Sequence, residues 1–146
     1  MSNHHEIAAL VYAYAERLDA GDLNGVASLF AHAGYGPVGG PMLHGTASVR
    51  AAFAIVMLHD GIPRTKHVTT NTVIEVDDTN DTATARSYFT VFQATATLPL
   101  QAIVAGRYHD RFDRVDGAWR FAERAVHIDL VGDVSQHLHA SLPTER

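Results

Sequence analysis

From Thr65 to about residue 130 the chain is dominated by β-branched and aromatic residues broken only by turn signals, and this half of the sequence leaves few folds open. Four long strands are predicted, at about 66–76, 82–97, 102–115 and 118–130. Their joints are DDTND, LPL and the dipeptide Asp116-Gly117. The last is the strongest hairpin signal, because a type I′ turn needs positive φ at both central residues. Strands this long, joined this tightly, form an antiparallel meander. Such a sheet must curl and bury one face against whatever the rest of the chain supplies.

The rest supplies helices. Ile7, Leu10, Val11, Tyr14 and Leu18 recur at spacings of three and four, with Glu6, Glu16 and Arg17 off that stripe and Gly21 as a stop. Asp22 can cap a shorter second helix that carries Val26, Leu29 and Phe30 on one face. The glycine-rich loop AGYGPVGGP follows. Thr46 then offers a cap to a third helix, with Val49, Phe53, Val56 and Met57 sharing a face, running to about His59 before Gly61-Ile62-Pro63 breaks it. The pattern is α+β: three N-terminal helices packed on a strongly curved, mainly antiparallel sheet.

At 146 residues the chain has the size of one domain, expected over 1–146, with a polar C-terminal tail at 132–146. Apolar residues make up 47% and charged residues 18%, a globular balance. The net charge of −5 and the scattered arginines argue against nucleic acid, whose phosphates demand clustered positive charge. With no cysteine, disulfides and thiolate chemistry are excluded. Neither a leader nor a run of membrane-spanning length is expected, so no membrane partner and a cytoplasmic location are the default.

Several patterns carry no chemistry. Gly34-Tyr35-Gly36-Pro37-Val38-Gly39 satisfies G-x-G-x-x-G, but Pro37 interrupts it and a helix, not a strand, precedes it. Ten histidines include no H-x-x-x-H with a glutamate, and His137 and His139 form an isolated pair in the polar tail, so no metal and no other cofactor is expected. No G-x-S-x-G elbow supports a serine nucleophile. Trp119 and Phe121, after the Asp-Gly turn, are expected as core anchors under the helices. His67, in RTKHVTTN, is different, because a polar residue on the concave face of the sheet must find a partner or cost stability. Asp19 is the partner on offer. It ends the first helix, where the dipole disfavours a lone carboxylate and so favours a nearby proton donor.

The runs YAERLDAGDLNGVASLF, HGTASVRAAF, RTKHVTTN and GRYHDRFDRVDGAWRFAERAVHID resemble a SnoaL-like protein of the nuclear transport factor 2-like superfamily, over about residues 5–131. The resemblance implies a cone-shaped α+β barrel with a deep apolar cavity opening at one end. Superfamily members include ketosteroid isomerase, scytalone dehydratase, a bile acid dehydratase, limonene epoxide hydrolase, polyketide cyclases and small subunits of ring-hydroxylating dioxygenases, so the fold underdetermines the reaction. RLDAGDL resembles the dehydratases' segment ending in a catalytic aspartate, which places Asp19 there. RTKH resembles their histidine-bearing strand and places His67 at the catalytic histidine. The second acid–base residue of the dehydratases lies on the strand that here reads SYFTVFQ, where Thr90 or Phe92 stands instead. Leu18 replaces the tyrosine that precedes the aspartate in scytalone dehydratase.

Taken together, the resemblance implies a cofactor-independent lyase (dehydratase) or isomerase acting on a small apolar, oxygenated ring compound through a His67–Asp19 dyad. Histidine's ordinary pKa of about 6.5 suits it to take a proton beside a carbonyl and return it. Tyr35 and Tyr108 best match cavity-lining positions and would donate to the carbonyl oxygen. Tyr14, Phe30, Phe53, Met57, Tyr88, Phe89 and Phe92 are candidates for the apolar walls. The alternative is a non-catalytic ligand-binding or assembly subunit of the same fold. Self-association as a dimer or trimer is expected by the same resemblance.

Overall fold

A computed structural model describes residues 2–142; Met1 and the last four residues of the expected tail, 143–146, lie outside the described residues. Helix α1, Asn3–Asp19, buries Ile7, Val11, Tyr14 and Leu18, the stripe that its spacing predicts. The Ser2 side chain caps it by accepting a hydrogen bond from the His5 amide at 3.2 Å. Gly21, at φ 77°, turns the chain out of it. Asp22 then caps α2, Leu23–Ser28, by accepting from the Gly25 amide at 2.8 Å.

The glycine-rich segment read as a loop contains two short strands, β1 (Gly34–Pro37) and β2 (Leu43–His44). Four residues of GYGP carry no β-branched side chain, and only the parallel pairing offered by the far end of the chain makes them a strand. Helix α3, Thr46–Ala52, is capped by Gly45, so Thr46 is its first residue and not its cap. It is also shorter than its periodicity predicts. One 3₁₀ turn, Phe53–Ile55, follows, and Val56 is extended because it bridges to Leu138 while the Met57 amide donates to the His137 carbonyl at 2.7 Å. The C-terminal segment thus takes the backbone that a longer helix would have needed.

The meander pairs antiparallel in sequence as expected, through β3 (Thr65–Asp77), β4 (Thr82–Gln93), β5 (Gln101–Val115) and β6 (Ala118–Val131), with β4 ending at Gln93 and not at 97. β1 adds in parallel to β6, giving the order β2-β1-β6-β5-β4-β3. Asp116 and Gly117 have φ of 53° and 79°, as a type I′ turn requires. Register shifts at Thr70/Val73, Val91/Phe92, Ala105/Gly106 and Arg111/Phe112 mark the bulges that curl the sheet. Its concave face closes on the helices over a core that includes Val26, Phe30, Phe112, Trp119 and Phe121. Along β4 burial alternates strictly from Thr82 to Phe89, which fixes the face each side chain takes.

Candidate functional site

Asp19 ends α1 and meets the opening of β3, where Thr65 and His67 share a face. Its carboxylate accepts three hydrogen bonds: from Thr65 Oγ1 at 2.8 Å, from the His67 backbone amide at 2.8 Å, and at His67 Nδ1 at 2.6 Å. The side chains of His67 and Asp19 are only 6% and 10% exposed. An ionised carboxylate only accepts, so Nδ1 carries the proton of this bond and Nε2 is the ring's other working atom. Burial opposes the charge on Asp19, but the bonds from the His67 side chain and backbone and from Thr65 outweigh it and hold the carboxyl below its ordinary range.

The imidazole borders a cavity of about 480 Å³. Its walls are apolar and come from every layer: Leu18 of α1, Phe53 of the 3₁₀ turn, Phe89 and Val91 of β4, and Val126 and Ile128 of β6. The polar side chains among its lining are His67, Tyr35 and His137.

Tyr35 stands on β1, and its hydroxyl lies 2.8 Å from that of Tyr14. Beneath them Tyr108 is buried, its ring stacked on Phe89 at 4.5 Å and edge-on to Tyr14 at 5.6 Å. Arg124, fully buried, supports this cluster from behind. Its guanidinium makes a bidentate pair with Asp110 at 2.8 and 2.9 Å and lies 3.7 Å from the centre of the Tyr108 ring and 4.4 Å from that of Tyr14. Burial drives all three phenols well above their ordinary pKa, which keeps them neutral donors at any working pH.

The structure therefore brings His67 and Tyr35 to one cavity, with Asp19 bonded behind His67, and distributes the other expected residues differently. Tyr108 is a core residue behind Phe89, and its hydroxyl is not part of the lining. Phe53 and Phe89 line the cavity, whereas Tyr14 and Phe30 pack beneath it. Tyr88 and Phe92 face outward, 53% and 37% exposed, because the pleat of β4 gives its inner face to Ser87, Phe89 and Val91. Met57 is outside the lining because the helix that would have aimed it inward ends at Ala52. The inner positions of SYFTVFQ thus carry no acid or base opposite His67.

Two features were not singled out from the sequence. One is Arg124 with Asp110, a buried ion pair. The other is His137, read as part of a polar tail but 6% exposed, in the cavity wall, with its ring 6.2 Å from that of His67. On the outer face of the sheet Asp129 pairs with Arg107 at 2.8 and 3.0 Å, and the His127 and His109 rings lie 4.5 Å apart. Among the described residues no group of three or more His, Asp or Glu is arranged to hold a metal ion, and no helix is long and apolar enough to cross a membrane.

The family described as SnoaL-like domain matches residues 1–125 of the chain. A protein of unknown function from Mycobacterium tuberculosis is similar at 30% identity, with a TM-score of 0.71 over 88% of this chain and 72% of that one. An NTF2-like protein with a cystatin-like fold from Novosphingobium aromaticivorans matches at 22% identity and a TM-score of 0.72, covering 92% of this chain and 86% of that one. A candidate scytalone dehydratase from the same organism matches at 21% identity and a TM-score of 0.72, covering 98% and 93%. No curated protein matches the chain.

Proposed function

The chain belongs to the SnoaL-like domain family, and from that premise we propose that it is a cofactor-independent lyase or isomerase acting on an apolar, oxygenated ring compound held in the cavity. The observation that carries this reading is the 2.6 Å contact between His67 Nδ1 and Asp19, with His67 at the wall of a mainly apolar cavity. With Nδ1–H committed to the carboxylate, Nε2 of the neutral ring can accept a proton from a carbon beside a carbonyl. The C–H electrons move into an enolate. Asp19 keeps the ring in one tautomer and stabilises the imidazolium that forms. That imidazolium then returns its proton, either to a departing hydroxyl, which leaves as water with a new C=C bond, or to another carbon of the same ring. Tyr35, a neutral phenol paired with Tyr14, donates to a substrate oxygen, and the apolar walls make that bond count for more than it would in water. The likeness in fold to a candidate scytalone dehydratase supports the dehydratase form of the reaction.

A panel of bicyclic hydroxy ketones, offered to the wild type and to His67→Ala and Asp19→Asn, tests the assignment. Turnover is expected to fall by about 100- to 10,000-fold in His67→Ala, the usual worth of a general base, and by less in Asp19→Asn. Full turnover in both variants would overturn the roles given to these residues. Ligands that raise the melting temperature yet are recovered unchanged would point instead to binding without chemistry.

A further inference from the structure

We propose that His137 is a second substrate-contacting group of this cavity, donating a hydrogen bond from its neutral imidazole to the carbonyl oxygen of the compound whose adjacent carbon His67 deprotonates. The inference deepens the reading of the site given above and rests on it. His137 does not come from the meander. It lies in the C-terminal segment that follows β6, and that segment is pinned at several points. The Gly132 amide donates to the Ile103 carbonyl at 2.7 Å, the Met57 amide to the His137 carbonyl at 2.7 Å, and the His139 amide to the Ile55 carbonyl at 2.8 Å. The buried Gln93 side chain donates to the Gln136 carbonyl at 2.9 Å, and His59 Nε2 lies 2.8 Å from the same oxygen. The backbone on both sides of His137 is therefore fixed, and its ring is held in the cavity wall.

The ring lacks what a structural histidine has. Its Nδ1 is sealed within the protein without a hydrogen-bond partner among the described residues, so the neutral ring carries its proton on Nε2 and does not leave an N–H buried and unpaired. Nε2 is the nitrogen left to the cavity that the ring lines. The geometry suits one carbonyl group. Ring centres 6.2 Å apart put the two imidazoles side by side in one wall, where neighbouring atoms of one ligand reach both.

The two imidazoles differ in what stands behind them. His67 has the Asp19 carboxylate on its Nδ1, whereas no carboxylate is bonded to His137. The charged and titratable groups that act on His137 are His67, Asp19 and His59. Burial, with His67 adding to it and Asp19 opposing it, pulls the His137 pKa down to about 4. The two rings thus divide the labour: the carboxylate-backed ring takes protons, and the unbacked ring stays neutral and polarises an oxygen. This placement also supplies the polar group that the inner face of SYFTVFQ lacks.

Binding of 2-tetralone and of tetralin, the same bicycle without its oxygen, tests the proposal without requiring turnover. A ketone oxygen only accepts, so preference for the ketone reports a donor. Wild type is expected to bind 2-tetralone about tenfold more tightly than tetralin, the worth of one hydrogen bond. His137→Leu should lose most of that preference, keeping only what Tyr35 supplies, and His137→Gln, which keeps an N–H, should retain more of it. His67→Ala should lose turnover and keep the preference, so failure of the lyase reading and failure of this one are told apart. A wild type without the preference, or a His137→Leu protein that keeps it undiminished, would overturn the proposal. If His137→Leu does not fold, the imidazole ¹⁵N–H resonance of His137 in the wild type decides: it should shift on adding 2-tetralone and not tetralin, and an unmoved resonance would overturn the assignment.

Discussion

Asp19 sits at the helix end where a carboxylate is least welcome, and what keeps it charged is the set of donors that β3 delivers. That makes the residue structural, whatever chemistry it serves. Asp19→Ala would leave the Thr65 hydroxyl, the His67 amide and the His67 ring without their acceptor. A loss of about 1–3 kcal/mol in urea unfolding is expected. Because the folded pKa is depressed, the stability Asp19 contributes is complete above its unfolded value of 3.8 and is lost as the pH falls through the folded value. Wild type should therefore lose stability more steeply than Asp19→Asn as the pH falls below about 4, and equal slopes would contradict the pairing. Arg124 poses the opposite case, a fully buried cation matched by one carboxylate. Arg124→Met alone leaves Asp110 buried and unpaired, at a cost of about 3–5 kcal/mol, whereas adding Asp110→Leu should restore most of it. A double-mutant cycle in urea measures the coupling. Asp19 and His67 were legible in the sequence because a helix end and a strand start each carry an out-of-place polar residue. Arg124 was not, because its partner depends on a bulge: an unbroken register from the Val115–Ala118 pair would set Asp110 opposite Glu123, and only the shift at Arg111/Phe112 brings Arg124 there.

At the level of elements, the long strands and the first two helices follow from periodicity alone, since each buries a continuous apolar face. The short pieces do not. β1 exists because β6 offers it an edge, and α3 stops early because the C-terminal segment claims Val56 and Met57. Both depend on contacts between parts of the chain far apart in sequence, which no local pattern encodes. The same is true of His137, whose neighbours look like a polar tail until they are seen docked. Bulges decide which residues face inward, and Gly106 marks one of them. A Cβ there would collide with the His127 carbonyl oxygen and come within 2.9 Å of the Phe89 ring. Gly106→Ala should consequently cost about 1–3 kcal/mol, seen as a lower melting temperature, and should weaken ligand binding, because Phe89 is a cavity wall.

For the whole molecule, three helices on a curled meander enclose a space that its own side chains do not fill. The helix-then-strand texture makes that architecture readable, but the reaction is not carried by the architecture. It depends on whether the carboxylate-backed imidazole moves protons at carbon. The most direct measurement is hydrogen–deuterium exchange at the carbon beside the carbonyl of 2-tetralone in D₂O, followed by NMR, because it reports proton abstraction whatever the natural substrate is. Wild type should accelerate exchange over buffer by at least about 100-fold, and His67→Ala should return it to the buffer rate. A wild-type rate equal to that of buffer while the ketone is bound, or an undiminished rate in His67→Ala, would contradict the role assigned to His67.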